Sequence, residues 1–221
     1  LSRLIQERHP SEDSNTFIVS DIIYNQLGQK QKISLPYSAF GSGYSPPITN
    51  FNLLTSYTYD PLGRPIQVAT VVGAATHVYD DWKETVIDPK GNKKEFYRDA
   101  HNRLVQVNEY NNEGTAAKVY NTIYKYNGRN DLVKITDALQ NIRNFTYDGL
   151  SRRPTAEDLH APADTTFGLH TYSYDLAGNL SKHIDPNGNN TIYSYDKLNR
   201  LTSEDLLSTA SVIESTFAYD N

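Results

Sequence analysis

At 221 residues the chain is long enough for one large domain or two small ones, yet a hydrophobic fraction of 38% and a mean hydropathy of −0.62 are low for filling a compact core of that size. The net charge of −5 arises from 21 basic and 26 acidic residues that are interspersed, which leaves no basic stripe for nucleic acid. The absence of Cys excludes a disulfide framework and a thiolate zinc site, and no apolar run is long enough to span a bilayer.

What the chain has instead is tyrosine: 17 Tyr and 7 Phe against one Trp, a β-rich composition unlike that of disordered chains. Tyr can bury its ring and keep its hydroxyl wet, as a thin, partly wetted sheet requires. No signal peptide is present, and no Met stands at position 1. The chain therefore reads as an excised fragment whose targeting signals lie outside it.

In chain order, residues 1–50 are the less regular part. Ser11 to Asn15 is polar and turn-like, and Ile22-Ile23-Tyr24-Asn25 is a first, weak copy of a motif that recurs below. Tyr37 to Pro47 is rich in Ser, Gly and Pro and predicts a long surface loop. From residue 51 the motif becomes regular: Tyr57-Thr58-Tyr59-Asp60-Pro61-Leu62-Gly63-Arg64 is the first clear copy. Trp82, beside Asp80 and Asp81 in an irregular copy, reads as a packing anchor. Tyr97-Arg98-Asp99 runs into Asn102-Arg103-Leu104, and Asn111 to Ala117 reads as an insertion. Tyr124-Lys125-Tyr126-Asn127 runs into Asn130-Asp131-Leu132, Phe145-Thr146-Tyr147-Asp148 follows, and His160 to Thr166 reads as a second insertion. Clear copies return at Tyr172-Ser173-Tyr174-Asp175-Leu176-Ala177-Gly178-Asn179-Leu180 and at Tyr193-Ser194-Tyr195-Asp196-Lys197-Leu198-Asn199-Arg200-Leu201. Phe217-Ala218-Tyr219-Asp220 opens a copy that the fragment cuts off.

A second motif alternates with the first, clear at Asp88-Pro89-Lys90-Gly91-Asn92 and Asp185-Pro186-Asn187-Gly188-Asn189 and degenerate at Asp137-Ala138-Leu139-Gln140-Asn141. Tyr126 to Tyr147 and Tyr174 to Tyr195 are both 21 residues, so a period holds two strands and two turns. Both motifs obey one turn logic. Asp at the first position bonds its own backbone two residues on, and Pro at the second presets the torsion of a type I turn. Gly or Asn at the fourth, such as Gly178, takes the left-handed conformation that closes a hairpin with a bulge. Between turns the residues alternate over strand-length segments, as in Asn190-Thr191-Ile192-Tyr193-Ser194-Tyr195, where the last two tyrosines share a face. No helical periodicity appears. The expected fold is all-β: an antiparallel meander of tandem hairpins, with residues 1–221 as one array, 1–50 an irregular entry repeat and 51–221 regular repeats.

The Tyr-x-Tyr-Asp-x-x-Gly-Arg copies interleaved with Asp-Pro-x-Gly-Asn resemble the YD repeats of the Rhs superfamily, which includes bacterial polymorphic toxins, components of insecticidal toxin complexes, and teneurins. The resemblance covers roughly Asp21 to Asn221 and rests on at least seven copies. The run Ile33-Ser34-Leu35-Pro36-Tyr37 also looks like the toxin-complex branch. It implies a sheet that curves or spirals into a hollow shell, enclosing a C-terminal toxin or other cargo in many bacterial members. The aspartyl self-cleaving core of the family follows the repeats, so no such site is carried over to this chain. The resemblance implies a non-catalytic structural segment of a secreted or cell-surface bacterial protein; the alternative is an extracellular adhesion or carbohydrate-binding module. Its partners would be neighbouring repeats of the parent chain, the enclosed toxin, a glycan under the alternative, and other copies through edge strands.

Each sharper candidate has a plainer explanation. The tyrosines recur at one point of each repeat and not in a cluster, which suits sheet packing better than a sugar platform. Asp60, Asp88, Asp175, Asp185 and Asp196 all occupy the same turn position, where a backbone-bonding role accounts for them without acid-base chemistry. Asp185, Asn187, Asn189 and Asp196 echo a calcium loop, but Asn190 stands where that loop needs Gly and no helices flank it. His9, His77, His101, His160, His170 and His183 lack metal-ligand spacing, and no nucleophile elbow is present. Asn144, Asn179 and Asn189 begin glycosylation sequons at the frequency chance allows. The expectation is therefore no catalytic, cofactor or metal residue.

Overall fold

A computed structural model describes residues 3–13, 15–49, 54–111, 118–207 and 215–220. Among them the regular structure is entirely β, nineteen strands and no helix. The chain divides into two compact units: residues 1–103 with 108–119, and residues 104–107 with 120–221.

In the first unit β1 (Gln6–Pro10) pairs antiparallel with the long β2 (Thr16–Tyr24). The other edge of β2 is shared. Its second half pairs with β3 (Lys30–Ser34) and its first half with β4 (Tyr37–Phe40). From β3 the ladder continues through β5 (Leu54–Tyr59), β6 (Pro65–Thr70), β7 (Gly73–Asp80), β8 (Lys83–Ile87) and β9 (Lys93–Arg98). Strands β10 (Leu104–Asn111) and β11 (Lys118–Tyr126) contribute residues to both units. In the second unit β11 leads into β12 (Leu132–Thr136), β13 (Ile142–Thr146), β14 (Thr155–Glu157), β15 (Leu169–Tyr174), β16 (Leu180–Ile184), β17 (Asn190–Tyr195), β18 (Leu201–Leu207) and β19 (Ser215–Thr216), each antiparallel to the last.

Two sequence expectations are corrected. Tyr37–Phe40, expected within a surface loop, is a strand, because the first half of β2 offers an unfilled edge and the Gly and Pro residues that break a strand begin only at Gly41. Trp82, expected as a packing anchor, is 57% exposed: it sits at the tip of the two-residue turn between Asp80 and Lys83, where a side chain meets solvent on most sides. Of the two insertions, His160 to Thr166 lies between strands, with one bridge from His160 to Ile142. Residues 112–117 of the insertion expected at Asn111 to Ala117 lie outside the described residues.

Burial explains the low hydropathy. Among the described residues the buried apolar side chains are Val19, Leu54, Phe145 and Ala156, far too few to stabilise a domain by core burial alone. Cohesion must come from the hydrogen-bond ladder, half-buried aromatics and side-chain bonds between neighbouring strands.

Candidate functional site

The recurring feature is a turn, present ten times among the described residues with one geometry, starting at Asn25, Asp60, Asp88, Asp99, Asn127, Asp137, Asp148, Asp175, Asp185 and Asp196. The first residue's N–H donates to the carbonyl four positions on, and the fourth residue's N–H donates back to the first carbonyl, all at 2.8–3.1 Å. In the turn at Asp196, one carboxylate oxygen accepts from the N–H groups of Leu198 and Arg200 at 2.8 and 3.0 Å, and the other from Arg200 Nε at 2.7 Å. The turns at Asp60, Asp99 and Asp148 use Arg in the same way. Those at Asp88, Asp137, Asp175 and Asp185 use an Asn amide. At Asn127 the polarity reverses, and its amide donates to Asp131.

The fourth position always has a positive φ, from 59° at Ser151 and Asn199 to 91° at Gly178. Gly and Asn fill most of these positions as the sequence predicts, but Gln140 and Ser151 take it too. The two motifs differ just before the turn. In Tyr-Asp hairpins the register slips at the anchor tyrosine, as at Thr58/Tyr59, Ser173/Tyr174 and Ser194/Tyr195. This bulge re-aims the tyrosine.

Its hydroxyl then reaches the neighbouring hairpin. Tyr59 donates to the Lys30 carbonyl, Tyr79 to Pro65, Tyr126 to Leu104, Tyr174 to Arg153, Tyr195 to Leu180 and Tyr219 to Leu201, all at 2.6–3.1 Å. Each acceptor is the residue just after the preceding Tyr-Asp-type turn. At three of these turns the closing Arg also covers the same ring: Arg64 over Tyr79 at 4.2 Å, Arg152 over Tyr174 at 5.1 Å and Arg200 over Tyr219 at 4.6 Å. Burial raises the pKa of Tyr59, Tyr79 and Tyr195, so these phenols stay protonated donors.

The candidate carboxylates are thus separated, one per turn, and each is engaged by its own backbone. Asp185 and Asp196 belong to different turns and do not converge. The sequon amides of Asn144, Asn179 and Asn189 donate to Glu157, Asp175 and Asp185. His9 pairs with Glu7 and His77 with Glu84, at 3.0 and 2.9 Å. Among the described residues no three acidic or His side chains are grouped to hold a metal ion.

Three polar clusters escape sequence reasoning because cross-strand register makes them. In the first unit, buried Glu95 accepts from Lys93 Nζ, Tyr97 and Tyr110 at 3.0, 2.9 and 2.6 Å, with Asn108 at 3.4 Å. Burial works to raise its pKa, but these donors outweigh it and hold the carboxyl at about 2. In the second unit, buried His160 faces the Ala161 carbonyl with Nδ1 at 2.9 Å and Glu157 with Nε2 at 3.1 Å, and stacks on Phe167. Both partners only accept, so both ring nitrogens carry protons. Also in the second unit, His170 Nδ1 meets His183 Nε2 at 3.0 Å while its Nε2 faces Asp158 at 3.3 Å.

Comparison with known proteins agrees with this geometry. The RHS Repeat family matches residues 174–206, one Tyr-Asp turn, one Asp-Pro turn and the next Tyr-Asp turn. No curated protein matches the sequence. Among solved structures, a component of the Photorhabdus luminescens Tc holotoxin pore is similar over 91% of this chain at 15% identity, with a TM-score of 0.65. The TcdB2-TccC3 complex without its hypervariable C-terminal region is similar over 96% at 14% identity, with a TM-score of 0.52. The matched regions are 11% and 14% of those chains, so this chain spans a small part of each.

Proposed function

We propose that the chain is a member of the Rhs/YD-repeat superfamily and serves as a stretch of wall in a β-shell enclosing a C-terminal toxin or other cargo. Its role as an Rhs-repeat segment is structural. The observation that carries the proposal is the fate of the repeated polar groups. The turn carboxylates bond their own backbones, and the anchor hydroxyls bond the neighbouring hairpin. The recurring chemistry is consumed in fastening strand to strand, which suits a wall and leaves no repeated group poised to react.

Under this reading the mechanism is steric confinement, and the segment makes and breaks no bond. Residues 1–221 act as one array, 1–50 as its irregular entry and 51–221 as its regular repeats. Its partners are the neighbouring repeats of the parent chain and the enclosed cargo, and it works in a secreted or cell-surface bacterial protein. Limited proteolysis of the natural protein that carries this sequence tests the proposal. An enclosed segment resists protease until the wall is opened with denaturant, then is cut quickly. If every segment outside the repeats is cut rapidly in native buffer, nothing is enclosed.

A further inference from the structure

Four anchor tyrosines have an arginine over the ring. Besides Tyr79, Tyr174 and Tyr219, Tyr24 is covered by Arg3 at 5.4 Å. In all four the hydroxyl donates to the carbonyl of the residue just after that arginine. Arg64, Arg152 and Arg200 also bond the aspartate of their own turn, Nε to carboxylate oxygen at 2.7 Å. Arg152 and Arg200 reach further, donating through Nη1 to the carbonyls of Asp175 and Asp220 at 3.4 Å. One guanidinium thus serves a ring face, a carboxylate and, in two copies, a carbonyl.

At two latched tyrosines an amide stands in the arginine's place: Gln29 for Tyr59, and Asn179 for Tyr195. An open groove lies at each. That in the first unit has about 450 Å³ and is lined by Asn25, Gln29, Tyr57 and Tyr59. That in the second has about 470 Å³ and is lined by the equivalent Asp175, Asn179, Tyr193 and Tyr195, with Asp196 beside them. The two differ in charge. Asn25 is neutral and exchanges its side-chain bonds with Gln29. Asp175 is a carboxylate, yet among the described residues it forms no ion pair, unlike Asp60, Asp148 and Asp196. Asn179 spends both amide hydrogens on Asp175 and Asn199, at 3.0 and 2.9 Å. The Asp175 charge is felt at the ring, since it follows burial and Tyr193 among the influences that raise the Tyr195 pKa.

We propose that the groove between turns 175–179 and 196–200 is a binding site for an arginine side chain of a partner polypeptide. The sister turns show the occupant, because each fills the equivalent place with a guanidinium from its own chain. The groove offers such a group the Tyr195 ring, the Asp175 carboxylate and the Asp196 carbonyl, and its negative charge complements the ligand. A lysine ammonium can meet Asp175 but is a compact point charge, without the planar fork that stacks on a ring while donating along its edge. The groove of the first unit lacks the carboxylate and serves as an internal control. One side chain is a small part of any interface, so a peptide with a single arginine binds weakly. The site does not depend on any cargo being enclosed, and it can fail while the wall proposal stands.

Tyrosine ring resonances of the whole chain, followed by NMR during titration with acetyl-Gly-Arg-Gly-amide, test the site. Saturable shifts are expected at Tyr193 and Tyr195, with affinity roughly tenfold weaker for the lysine counterpart and at Tyr57 and Tyr59. Asn179→Arg supplies the chain's own guanidinium and is expected to abolish the shifts. Asp175→Asn keeps the kind of turn found at Asn25 and is expected to weaken binding roughly tenfold by removing the charge. Circular dichroism identifies which variants keep the fold, and either one suffices. The absence of saturable shifts at Tyr193 and Tyr195, equal binding of the lysine peptide, or binding that a folded variant leaves unchanged overturns the proposal.

Discussion

The Tyr195 hydroxyl donates to the Leu180 carbonyl at 3.0 Å, so the Tyr-Asp end of one hairpin is fastened to the next by a bond that no backbone ladder supplies. The ring and the hydroxyl contribute separately. Tyr195→Phe keeps the ring and is expected to lose about 0.5–1.5 kcal/mol, the net value of one hydrogen bond. Tyr195→Ala removes both and is expected to lose roughly 2–4 kcal/mol. Tyr44, which is 62% exposed, provides the control, and Tyr44→Phe should leave the urea midpoint unchanged. Equal midpoints for Tyr195→Phe and Tyr44→Phe would show that the latch contributes nothing.

Gly178 has a φ of 91°, and a Cβ added there would meet no atom within 4 Å. Any cost of Gly178→Val is therefore conformational and not a clash, on the order of 1–3 kcal/mol. Ala177→Val, one residue earlier, should cost much less. Thermal unfolding of the two variants side by side decides it, and equal losses would refute the turn geometry.

Acid should weaken the fold through Glu95 and the turn aspartates together. The Glu95 carboxyl falls from 4.5 to about 2 on folding, held down by its four donors against the opposing effect of burial. Asp99 falls from 3.8 to about 2, first through the side-chain bond from Arg103. Asp88, Asp175 and Asp185 are lowered chiefly by an Asn amide, and Asp196 by the Arg200 backbone and side chain. Lowered pKa values stabilise the fold above the unfolded-state values and cease to do so as pH falls through the folded ones. Stability should thus hold above about pH 4.5 and decline towards pH 2. Glu95→Gln should lose on the order of 1–3 kcal/mol at neutral pH and flatten the acid limb. An identical acid limb in that variant would remove Glu95 from the account.

His160 has the opposite sign. Burial opposes its charge, but bonds to Glu157 and the Ala161 carbonyl prevail and raise its pKa above 6.5. Its contribution is complete below 6.5 and disappears as pH rises through the folded value. A proton-detected titration should find one imidazole, absent in His160→Gln, that titrates above the ordinary His range. A neutral His160 at pH 6 would contradict the reading of both ring nitrogens as donors.

The turns were legible in the sequence because their chemistry is local: Asp196, Asn199 and Arg200 lie within five residues of one another and specify one geometry wherever they recur. The tyrosine face was legible for the same reason, since alternation is a local pattern. The strand at Tyr37–Phe40 was not, because it depends on an edge offered by residues about twenty positions earlier. Trp82 misled because an aromatic side chain signals burial only if the turn that carries it points inward. Glu95 and Tyr110, His160 and Phe167, and His170 and His183 meet through register and packing set by the fold, which composition and spacing do not encode.

Electron cryomicroscopy of the natural protein that carries this sequence tests the central claim most directly. The account predicts that residues 1–221 form a continuous stretch of wall, with density from other polypeptide confined on one face of it. A map in which both faces of this segment are open to solvent, with no enclosed density, would contradict it.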